Sequence, residues 1–498
     1  MLRLLTLFSI ILITMVACDD DTKKAKSCDP AVPDSCDAGA LCVASGEGDP
    51  ICVSACDPLA ADSGCEAEES CAHVGGGAFA CLPTCEVGSD DCGEGWVCMA
   101  DGESATCKLS CADDTTVCSD SQVCVPYEEG WVCMEQCDPD DRASCGEDRA
   151  CELNTDGIYA CYLPVTISGT VFDSADLLPI EGAHVMAADN TGASASNVAI
   201  TDADGNYYVR VPVTRDASGI PVEGTFTLRA SAQDYEKYPH GIRPSIPIDG
   251  TTGVSSAAGW NVSNPSTDIA LILLPPDMQG LGYVEGQVVV DATADVSPAG
   301  TLVILEGAEV APMGFADLDG YYTVFNVPGG TFTAKGYKAF LQLEPVEFDL
   351  TTGDSATAVD LYQSDEELGV VTGSVNIVNP GDGDFTTVVL VPLATYDETF
   401  RKGEVPTGLR APAPPEAPSV SGAFTIEGVP SGEYAVLAGF ENDYLVQDPD
   451  PNIAGTSVVF ITVPDADSYT IDLPESFKIT GALGITYPGA EGPEAVEE

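Results

Sequence analysis

Residues 137–161 read CDPDDRASCGEDRACELNTDGIYAC, and this stretch contains the pattern on which the N-terminal part of the chain is built. Four cysteines stand in it, separated by seven, five and nine residues. The same order recurs four times upstream, with gaps of six to eight, five, and eight or nine residues, and three residues separate each set from the next. Self-similarity at a fixed short period indicates an array of small structural repeats.

The array spans residues 28–161 and contains 20 of the 21 cysteines of the chain. An even number of cysteines in every repeat predicts a closed disulfide framework, with three possible pairings in each repeat. A repeat of under thirty residues cannot bury enough apolar surface to fold alone, so cross-links are expected to supply the missing stability. The predicted disulfide cysteines are Cys28, Cys36, Cys42, Cys52, Cys56, Cys65, Cys71, Cys81, Cys85, Cys92, Cys98, Cys107, Cys111, Cys118, Cys124, Cys133, Cys137, Cys145, Cys151 and Cys161.

Zinc is the alternative use of these cysteines. The three-residue gaps fall within the spacing of zinc ligand pairs. However, these gaps lie between repeats, and His73 is the only histidine in the array. Disulfides are therefore favoured, and they place the protein in an oxidising compartment. The array is similar in kind to small extracellular modules of the EGF and Dickkopf amino-terminal types; we expect a stalk, with a protein-binding face as the alternative.

Charge excludes one class of partner. The chain has 80 acidic and 18 basic residues, which gives a net charge of −62. Nucleic-acid binding needs a basic face, so no nucleic-acid partner is expected. A large charge of one sign instead favours a soluble surface that resists aggregation.

The N-terminus predicts a lipid anchor. A basic start is followed by an apolar run from Leu4 to Ala17, which is too short to span a bilayer and is typical of a signal peptide. The run ends Met15-Val16-Ala17-Cys18, which resembles the bacterial lipoprotein box. Cys18 is also the one cysteine outside the five repeats. We therefore predict a signal peptide at 1–17, lipidation of Cys18, a tether over 18–27 and attachment to a membrane through the lipid.

After Cys161 the composition predicts β-sandwiches. Short runs of Val, Ile, Thr, Tyr and Phe alternate with Gly, Pro and Asp turns. In the segment 201–212, Tyr207, Val209 and Val211 are expected to share one face of a strand. The fold class is therefore mainly β: disulfide-rich small repeats followed by three tandem seven-stranded antiparallel β-sandwiches. We predict sandwiches over 163–276, 281–364 and 369–475, and a strand remnant with an acidic tail over 476–498.

The first of these segments resembles the carboxypeptidase regulatory-like domain, a transthyretin-like sandwich in a carbohydrate-binding-like fold group. Three pieces carry the resemblance, an opening Gly-x-Val strand, a Pro-x-x-Gly-Ala-x-Val strand and a Thr-Asp-x-x-Gly-x-Tyr hairpin. They stand at Gly169, at Pro179, Gly182 and Ala183, and at Thr201, Asp202, Gly205 and Tyr207. Later copies start at Tyr283 and Val370, and Phe477–Leu483 is similar to the first strand of a fourth copy.

Catalytic and metal sites are not predicted. Asp202-x-Asp204-Gly205 and Asp317-x-Asp319-Gly320 share the opening of a calcium-binding loop but lack its later ligands, so we interpret them as turns. His73, His184 and His240 stand in no zinc-peptidase motif, and no nucleophile elbow or phosphate-binding loop is present. No cofactor is expected.

The sequence therefore predicts a non-enzymatic, lipid-anchored protein of the bacterial cell envelope, with the outer membrane or cell surface favoured over the inner membrane. A structural or adhesive display scaffold is the preferred function. The alternative is carbohydrate binding, with Trp260, Tyr235 and Tyr238 as candidate stacking residues. A glycan or a protein ligand at the cell surface is the expected partner.

Overall fold

A computed structural model describes most of the array and the β-domains. The residues described are 27–29, 35–45, 48–56, 64–66, 69–75, 78–85, 92, 96–101, 104–111, 118, 122–127, 130–139, 145, 149–155, 157–216, 219–240, 245–256, 259–291, 296–308, 310–378, 385–399, 401–411, 422–441, 458–465, 468–473 and 477–480. The signal peptide, Cys18, most of the tether and the acidic tail lie outside them. The chain divides into two compact units, Met1–Val125 with Glu129–Cys133, and Pro126–Glu128 with Met134–Glu498.

Each repeat of the array is built on a β-hairpin. The third and fourth cysteines of a repeat face each other across the two strands, as Cys42 faces Cys52 and Cys151 faces Cys161. The strands are β1 Ala40–Ser45, β2 Gly48–Ser54, β3 Glu69–Gly75, β4 Ala78–Pro83, β5 Trp96–Asp101, β6 Ser104–Leu109, β7 Gln122–Tyr127, β8 Gly130–Glu135, β9 Ala150–Leu153 and β10 Tyr159–Tyr162.

Disulfides join the hairpin to the loop that precedes it. In every repeat the first cysteine bonds the third and the second bonds the fourth, so each bond closes 13 to 16 residues. By the chain-entropy estimate a loop of this size contributes about 3 kcal/mol. The ten pairs are Cys28–Cys42, Cys36–Cys52, Cys56–Cys71, Cys65–Cys81, Cys85–Cys98, Cys92–Cys107, Cys111–Cys124, Cys118–Cys133, Cys137–Cys151 and Cys145–Cys161.

Three β-sandwiches follow the array. Sandwich 1 contains β11 Val165–Asp173, β12 His184–Ala188, β13 Ala199–Ile200, β14 Asn206–Val211, β15 Thr214–Arg215, β16 Pro221–Glu223, β17 Thr225–Ser231, β18 Ile248–Asp249, β19 Val254–Ser256, β20 Gly259–Val262 and β21 Ile269–Leu271. Sandwich 2 contains β22 Gly282–Val289, β23 Leu302–Glu306, β24 Met313–Phe315, β25 Tyr321–Val327, β26 Gly330–Tyr337, β27 Val346–Leu350, β28 Ser355–Ala356 and β29 Leu361–Tyr362.

Sandwich 3 repeats the arrangement. It contains β30 Gly369–Val378, β31 Phe385–Pro392, β32 Arg410–Ala411, β33 Gly422–Val429, β34 Gly432–Glu441, β35 Val459–Val463, β36 Thr470–Asp472 and β37 Phe477–Thr480. The only helices longer than one residue in the described part of the chain are three 3-10 helices of three residues each, Gly250–Thr252, Pro276–Met278 and Leu393–Thr395. The predicted fold class, disulfide-rich repeats followed by β-sandwiches, is confirmed.

All three sandwiches share one topology. In sandwich 2, for example, the four-stranded sheet β24-β23-β26-β27 faces a second sheet. In that second sheet the first strand of the domain, β22, lies between β25 and the last strand, which consists of β28 and β29. The last strand is broken into two pieces, so sandwiches 2 and 3 have seven strand positions. The prediction of wholly antiparallel sheets needs a correction, because the first strand pairs parallel with both pieces of the last. A parallel pair requires a long crossover connection, and the rest of the domain supplies it.

A second correction concerns the C-terminal strand. We interpreted Phe477–Leu483 as the start of a fourth domain, but β37 pairs with Val375–Val378 of β30. It occupies the position that β21 and β29 have in the other sandwiches. This strand is therefore the last part of sandwich 3, and the predicted boundary at 475 falls inside that sandwich.

Packing follows the alternation of each strand. In β14, Tyr207, Val209 and Val211 are buried while Tyr208 and Arg210 are exposed, as predicted. The cores of sandwiches 2 and 3 are continuous, because Leu302 and Ile304 of β23 pack in the same buried cluster as the strands of sandwich 3. The rings of Tyr337 and Tyr434 meet edge to face at 5.9 Å inside that cluster.

Candidate functional site

The residues that carry the family resemblance form the interior of sandwich 1. The Thr201 hydroxyl donates to the carbonyl of Ile180 at 2.6 Å and accepts from the backbone N–H of Ala183 at 2.8 Å. Gly205 has a φ of +76°, and a Cβ there would lie 2.5 Å from the carbonyl oxygen of Val171. These contacts hold the hairpin against the second strand, so this part of the motif is structural.

Gly169 and Tyr207 of the same motif contact Thr267, which lies where the last strand of sandwich 1 is broken between β20 and β21. Gly169 lies opposite Tyr207, whose hydroxyl donates to the Thr267 carbonyl at 2.5 Å. A Cβ at Gly169 would lie 2.2 Å from that same oxygen. Burial raises the pKa of Tyr207 far above its usual value, so the hydroxyl keeps its proton and acts as a donor.

The glycine–tyrosine pair recurs in sandwich 2 and is altered in sandwich 3. Gly286 lies opposite Tyr322, which donates to the Val359 carbonyl. In sandwich 3 the corresponding residues are Gly373 and Phe424, and phenylalanine has no hydroxyl to donate. The three copies of the motif therefore have the same structural role, and the third copy lacks one hydrogen bond.

The two aspartate turns are occupied by hydrogen bonds. Asp202 Oδ1 accepts from the backbone N–H groups of Asp204 and Asn206, both at 2.9 Å, and these bonds lower the pKa of Asp202. Asp317 accepts from Asp319 and Tyr321 in the same way. Because these carboxylates already bind backbone donors, their geometry is that of turn formers, as the sequence indicated.

The histidines are not brought together among the described residues. His184 packs edge-on against the ring of Phe325 at 4.9 Å, and burial lowers its pKa. His240 is exposed at the end of a loop, and His73 lies in β3. Within the described ranges, the only groups of three potential metal ligands are cysteines of the array.

The proposed sugar-stacking residues are packed. Trp260, Tyr235 and Tyr238 are partly buried against the core of sandwich 1. The hydroxyl of Tyr235 also donates to Asp173 Oδ2 at 3.2 Å. Each of these rings therefore contributes to the packing of sandwich 1.

A buried ion pair joins the fifth repeat to sandwich 1. Glu152 follows Cys151 in β9 and forms an ion pair with the guanidinium of Arg215. The Glu152 side chain is 0% exposed and the Arg215 side chain is 3% exposed. Arg215 also donates to the carbonyls of Leu163 at 2.6 Å and Gly219 at 2.8 Å. Its guanidinium carbon lies 4.8 Å from the ring centre of Tyr162.

Burial has the largest effect on the pKa of the carboxyl group in this pair. Removal from water raises the pKa of Glu152 to about 7, although the charge of Arg215 and a hydrogen bond from Val213 oppose the shift. Sequence reasoning missed both partners, because they stand 63 residues apart in the chain. The one available signal was the scarcity of basic residues, 18 against 80 acidic ones, which makes each arginine notable.

Asn326 locks sandwich 2 onto sandwich 1. Its side-chain oxygen accepts from the backbone N–H of Asp234 at 2.7 Å and from Gln233 Nε2 at 3.1 Å. Its side-chain nitrogen donates to the carbonyls of Ala232 at 3.2 Å and Tyr235 at 2.9 Å. Asn326 has a φ of 59°, a left-handed conformation that asparagine tolerates better than most residues.

Charged residues meet where the three sandwiches come together. Lys237 of sandwich 1 forms an ion pair with Glu404 of sandwich 3. Burial raises the pKa of Glu404, but Lys237 and Arg229 outweigh burial and hold that pKa below its usual range. The guanidinium carbon of Arg229 lies 3.6 Å from the ring centre of Phe315 in sandwich 2. These contacts fix three sandwiches into one body.

A polar cleft opens between sandwiches 2 and 3, with a volume of about 340 Å³. Lys335 Nζ lies 2.6 Å from Glu306 Oε2, and Glu306 Oε1 accepts from the Tyr337 hydroxyl at 3.1 Å. Tyr396 lines the opposite side and meets the exposed ring of Phe460 edge-on at 5.6 Å. The cleft is lined by Glu306, Gly307, Ala308, Ala311, Lys335, Leu393, Ala394, Tyr396 and Glu433.

The cleft is suited to a small polar ligand. Pockets that bind such ligands combine apolar walls with a few placed polar groups. Here alanines and Leu393 supply the apolar wall, while Glu306, Glu433 and Lys335 supply two carboxylates and an ammonium. Lys335 is held by Glu306 in this lining, so the polar groups available to a ligand are the two carboxylates and the ammonium.

Comparisons with known proteins give little further information. No protein-family model matches the sequence, and no curated protein is similar to it. Among solved structures, the Bacillus anthracis TIE protein is similar over 64% of this chain and 52% of its own length, at 13% identity and a TM-score of 0.16. The major pilin subunit of Bacillus cereus (11% identity, 63% of this chain, 99% of that chain) and a streptococcal ancillary pilin (12%, 63%, 98%) also have TM-scores of 0.16.

These TM-scores are too low to carry an argument about function. The chain spans about half the length of the TIE protein, and identities near 12% add no residue-level correspondence. Within the part of the chain that the structure describes, no helix has the length and apolar character needed to cross a bilayer.

Proposed function

We propose that this chain is a non-enzymatic bacterial lipoprotein, anchored through Cys18 and exposed at the cell surface, that acts as a structural or adhesive display scaffold. The observation that carries the proposal is the rigid connection from the fifth repeat to sandwich 1 through Glu152 and Arg215. A flexible linker would need no buried ion pair at that point. The desolvation of two charges is costly and is offset only when the geometry is fixed.

Rigidity on both sides of this junction supports the proposal. Every repeat is closed by two disulfides, and the three sandwiches are locked by Asn326 and by the ion pair between Lys237 and Glu404. The seven strand positions and the recurring glycine–tyrosine pair are also in keeping with the resemblance to carboxypeptidase regulatory-like domains. In this proposal the cysteine repeats are the stalk and the sandwiches are the displayed part.

Anchoring is tested by Cys18→Ser in the full chain, with Ser27→Ala as a matched control in the same tether. In a bacterial host fed an alkyne-labelled fatty acid, we expect the unchanged chain and the control to be labelled and to sediment with membranes. The Cys18→Ser chain should be unlabelled and released. Protease added to intact cells should degrade the anchored chain; a protected chain, or a Cys18→Ser chain still in the membrane, contradicts the proposal.

Carbohydrate binding is the second candidate, and the cleft between sandwiches 2 and 3 favours it. The exposed ring of Phe460 packs edge-on against the lining residue Tyr396 and could extend the cleft with an apolar face for a sugar ring. Glu433, in the lining itself, offers acceptors for the sugar hydroxyl groups. We expect maltotriose or triacetylchitotriose to bind with an affinity that calorimetry can measure. Phe460→Ala and Glu433→Gln should each weaken binding about tenfold, a loss of ~1.4 kcal/mol.

The control for this test is Tyr321→Ala, which removes an equally exposed ring from β25 of sandwich 2. It should leave the affinity unchanged. Absence of heat with either sugar at millimolar concentration, or equal loss in the control, would remove carbohydrate binding as a candidate.

A further inference from the structure

The outermost strand of one sheet in sandwich 3 is uncharged and partly exposed. β35 lies at the end of the sheet β32-β31-β34-β35, and within the described part of the chain it pairs with β34 alone. Its five residues, Val-Phe-Ile-Thr-Val, include neither a charge nor a proline. Phe460 is 57% exposed, and Thr462 is exposed as well. An edge strand of this kind presents backbone N–H and C=O groups with which a further strand can pair.

The equivalent strands of the other two sandwiches carry acidic residues. Aligning the β26–β27 and β34–β35 pairs on the glycines that open β26 and β34 makes Asp349 equivalent to Thr462, and Glu347 equivalent to Phe460. Both acids are exposed, and β27 and β35 have the same alternation of burial. In sandwich 1 the exposed Asp249 of β18 has the position of Asp349, since each lies opposite the threonine of the Thr-Phe-Thr sequence that β17 and β26 share. Charged side chains on an edge strand oppose the addition of another strand, and β35 lacks them.

We propose that β35 of one copy of this chain pairs antiparallel with β35 of a second copy, across a two-fold axis. A pairing centred on Ile461 places Phe460 opposite Thr462 of the second copy. It also places Val459 opposite Val463 of the second copy. Aromatic and β-branched residues stabilise each other as cross-strand neighbours. The two four-stranded sheets then form one continuous sheet.

Charge favours a second copy as the occupant of this edge. The chain has a net charge of −62, so two copies repel each other over most of their surfaces. Contact between copies therefore favours a strip without acidic residues, and β35 supplies that strip on both copies at once. A two-fold contact uses the same patch twice and needs a self-complementary surface, which a strand of aromatic and β-branched residues provides. The inference depends neither on lipid anchoring nor on sugar binding.

The first test measures the sedimentation of the full chain at two salt concentrations. Cys18→Ser is present throughout, so that the one cysteine outside the repeats cannot join two copies. At about 100 µM chain we expect an equilibrium between monomer and dimer. The dimer should be more populated in about 0.5 M than in about 0.05 M NaCl, because salt screens the repulsion between two acidic chains. A chain that stays monomeric in both salts overturns the proposal.

A matched pair of substitutions tests the role of β35. Thr462→Asp introduces the acid that β27 and β18 carry at this position, and it should weaken dimerisation at least about tenfold, because each copy then buries a carboxylate beside Phe460 of the other. Thr470→Asp is the control, since it adds the same charge at an exposed position of β36, in the other sheet of sandwich 3. It should change the dissociation constant by less than about twofold. Both positions are exposed, so both variants should keep the unfolding midpoint of the unchanged chain. Equal effects of the two substitutions on dimerisation refute the proposal.

Paired cysteines test the register. Phe460→Cys and Thr462→Cys are made in separate chains, which are mixed and oxidised. In the proposed register the two substituted positions lie opposite each other, with Cα atoms about 5 Å apart, which a disulfide can span. Position 460 of one copy lies about 8 Å from position 460 of the other, which is too far. A covalent dimer should therefore form in the mixture and not in either variant alone; linkage at equal rates in all three samples, or in none, overturns the two-fold pairing.

Discussion

Replacing Arg215 by methionine should strongly destabilise sandwich 1. The substitution leaves Glu152 buried without its partner and removes the donors that reach the carbonyls of Leu163 and Gly219. Removing one member of a buried ion pair typically costs about 3–5 kcal/mol. Domains of this size are stable by only about 5–15 kcal/mol, so the loss is a large fraction of the total.

The double substitution Glu152→Leu with Arg215→Met should recover the part of that loss that comes from the unpaired charge, while the carbonyls of Leu163 and Gly219 still lack their donor. Two apolar side chains of similar volume need no counter-charge, and replacing a whole buried pair in this way is often neutral or stabilising. The recovery separates the cost of an unpaired charge from the cost of altered packing.

Urea unfolding followed by tryptophan fluorescence measures both effects. Trp260 packs against the core of sandwich 1, while Trp96 and Trp131 lie in the array, where disulfides stay closed. With an m-value of about 2 kcal/mol per molar, the Arg215→Met midpoint should fall by about 2 M. Arg210→Met, at an exposed position of β14, is the control and should shift it by less than about 0.3 M. A single variant as stable as the control, or a double variant no better than the single, would refute the reasoning.

Three further predictions follow from single contacts. Tyr322→Phe removes the donor to the Val359 carbonyl and should lower the free energy of unfolding by about 1–2 kcal/mol in a thermal unfolding experiment. Phe424→Tyr restores a hydroxyl at the third copy of the motif and should be neutral or stabilising. Equal losses in both variants would contradict the role of the hydrogen bond. Asn326→Ala should lower the free energy of unfolding more than Asn326→Gly, because alanine adds backbone strain at φ 59° to the lost hydrogen bonds. Calorimetry of either variant should show the unfolding transition of sandwich 1 separating from that of the other sandwiches. A single unchanged transition would count against the role of Asn326 in joining them. Burial raises the folded-state pKa of Glu152 above its unfolded value, although Arg215 opposes the shift, so stability should fall as pH rises from 4.5 towards neutrality. Glu152→Gln should abolish that slope in urea unfolding, and an identical slope in the variant would rule the residue out.

Local patterns predicted the elements well. The cysteine spacing defined five repeats, and the alternation of Tyr207, Val209 and Val211 gave the buried face of β14. Both signals depend only on neighbours in the chain, since disulfide-closed units are short and strand periodicity is two. The spacing alone does not decide the pairing of the cysteines, because three arrangements in each repeat satisfy it.

Long-range pairings could not be predicted in this way. Phe477–Thr480 has the composition of a first strand, and nothing in its own residues shows that it pairs with β30, about a hundred positions earlier. Glu152 and Arg215 are likewise ordinary charged residues until the fold brings them together. Trp260 looked exposed because its neighbours are small and polar, yet its ring packs on the core. In each case the deciding contact joins distant segments.

The disulfide pattern determines how far the array can lengthen under tension. Between Cys137 and Cys161 the covalent route with the fewest residues crosses the Cys137–Cys151 bridge, runs back along the chain to Cys145 and crosses the second bridge, so it uses six residues of the twenty-four. The length of a pulled repeat is therefore limited to about 3.5 Å for each of those six residues plus the span of the two bridges. An array of such repeats lengthens under load by a short, fixed increment at each repeat and then resists further extension.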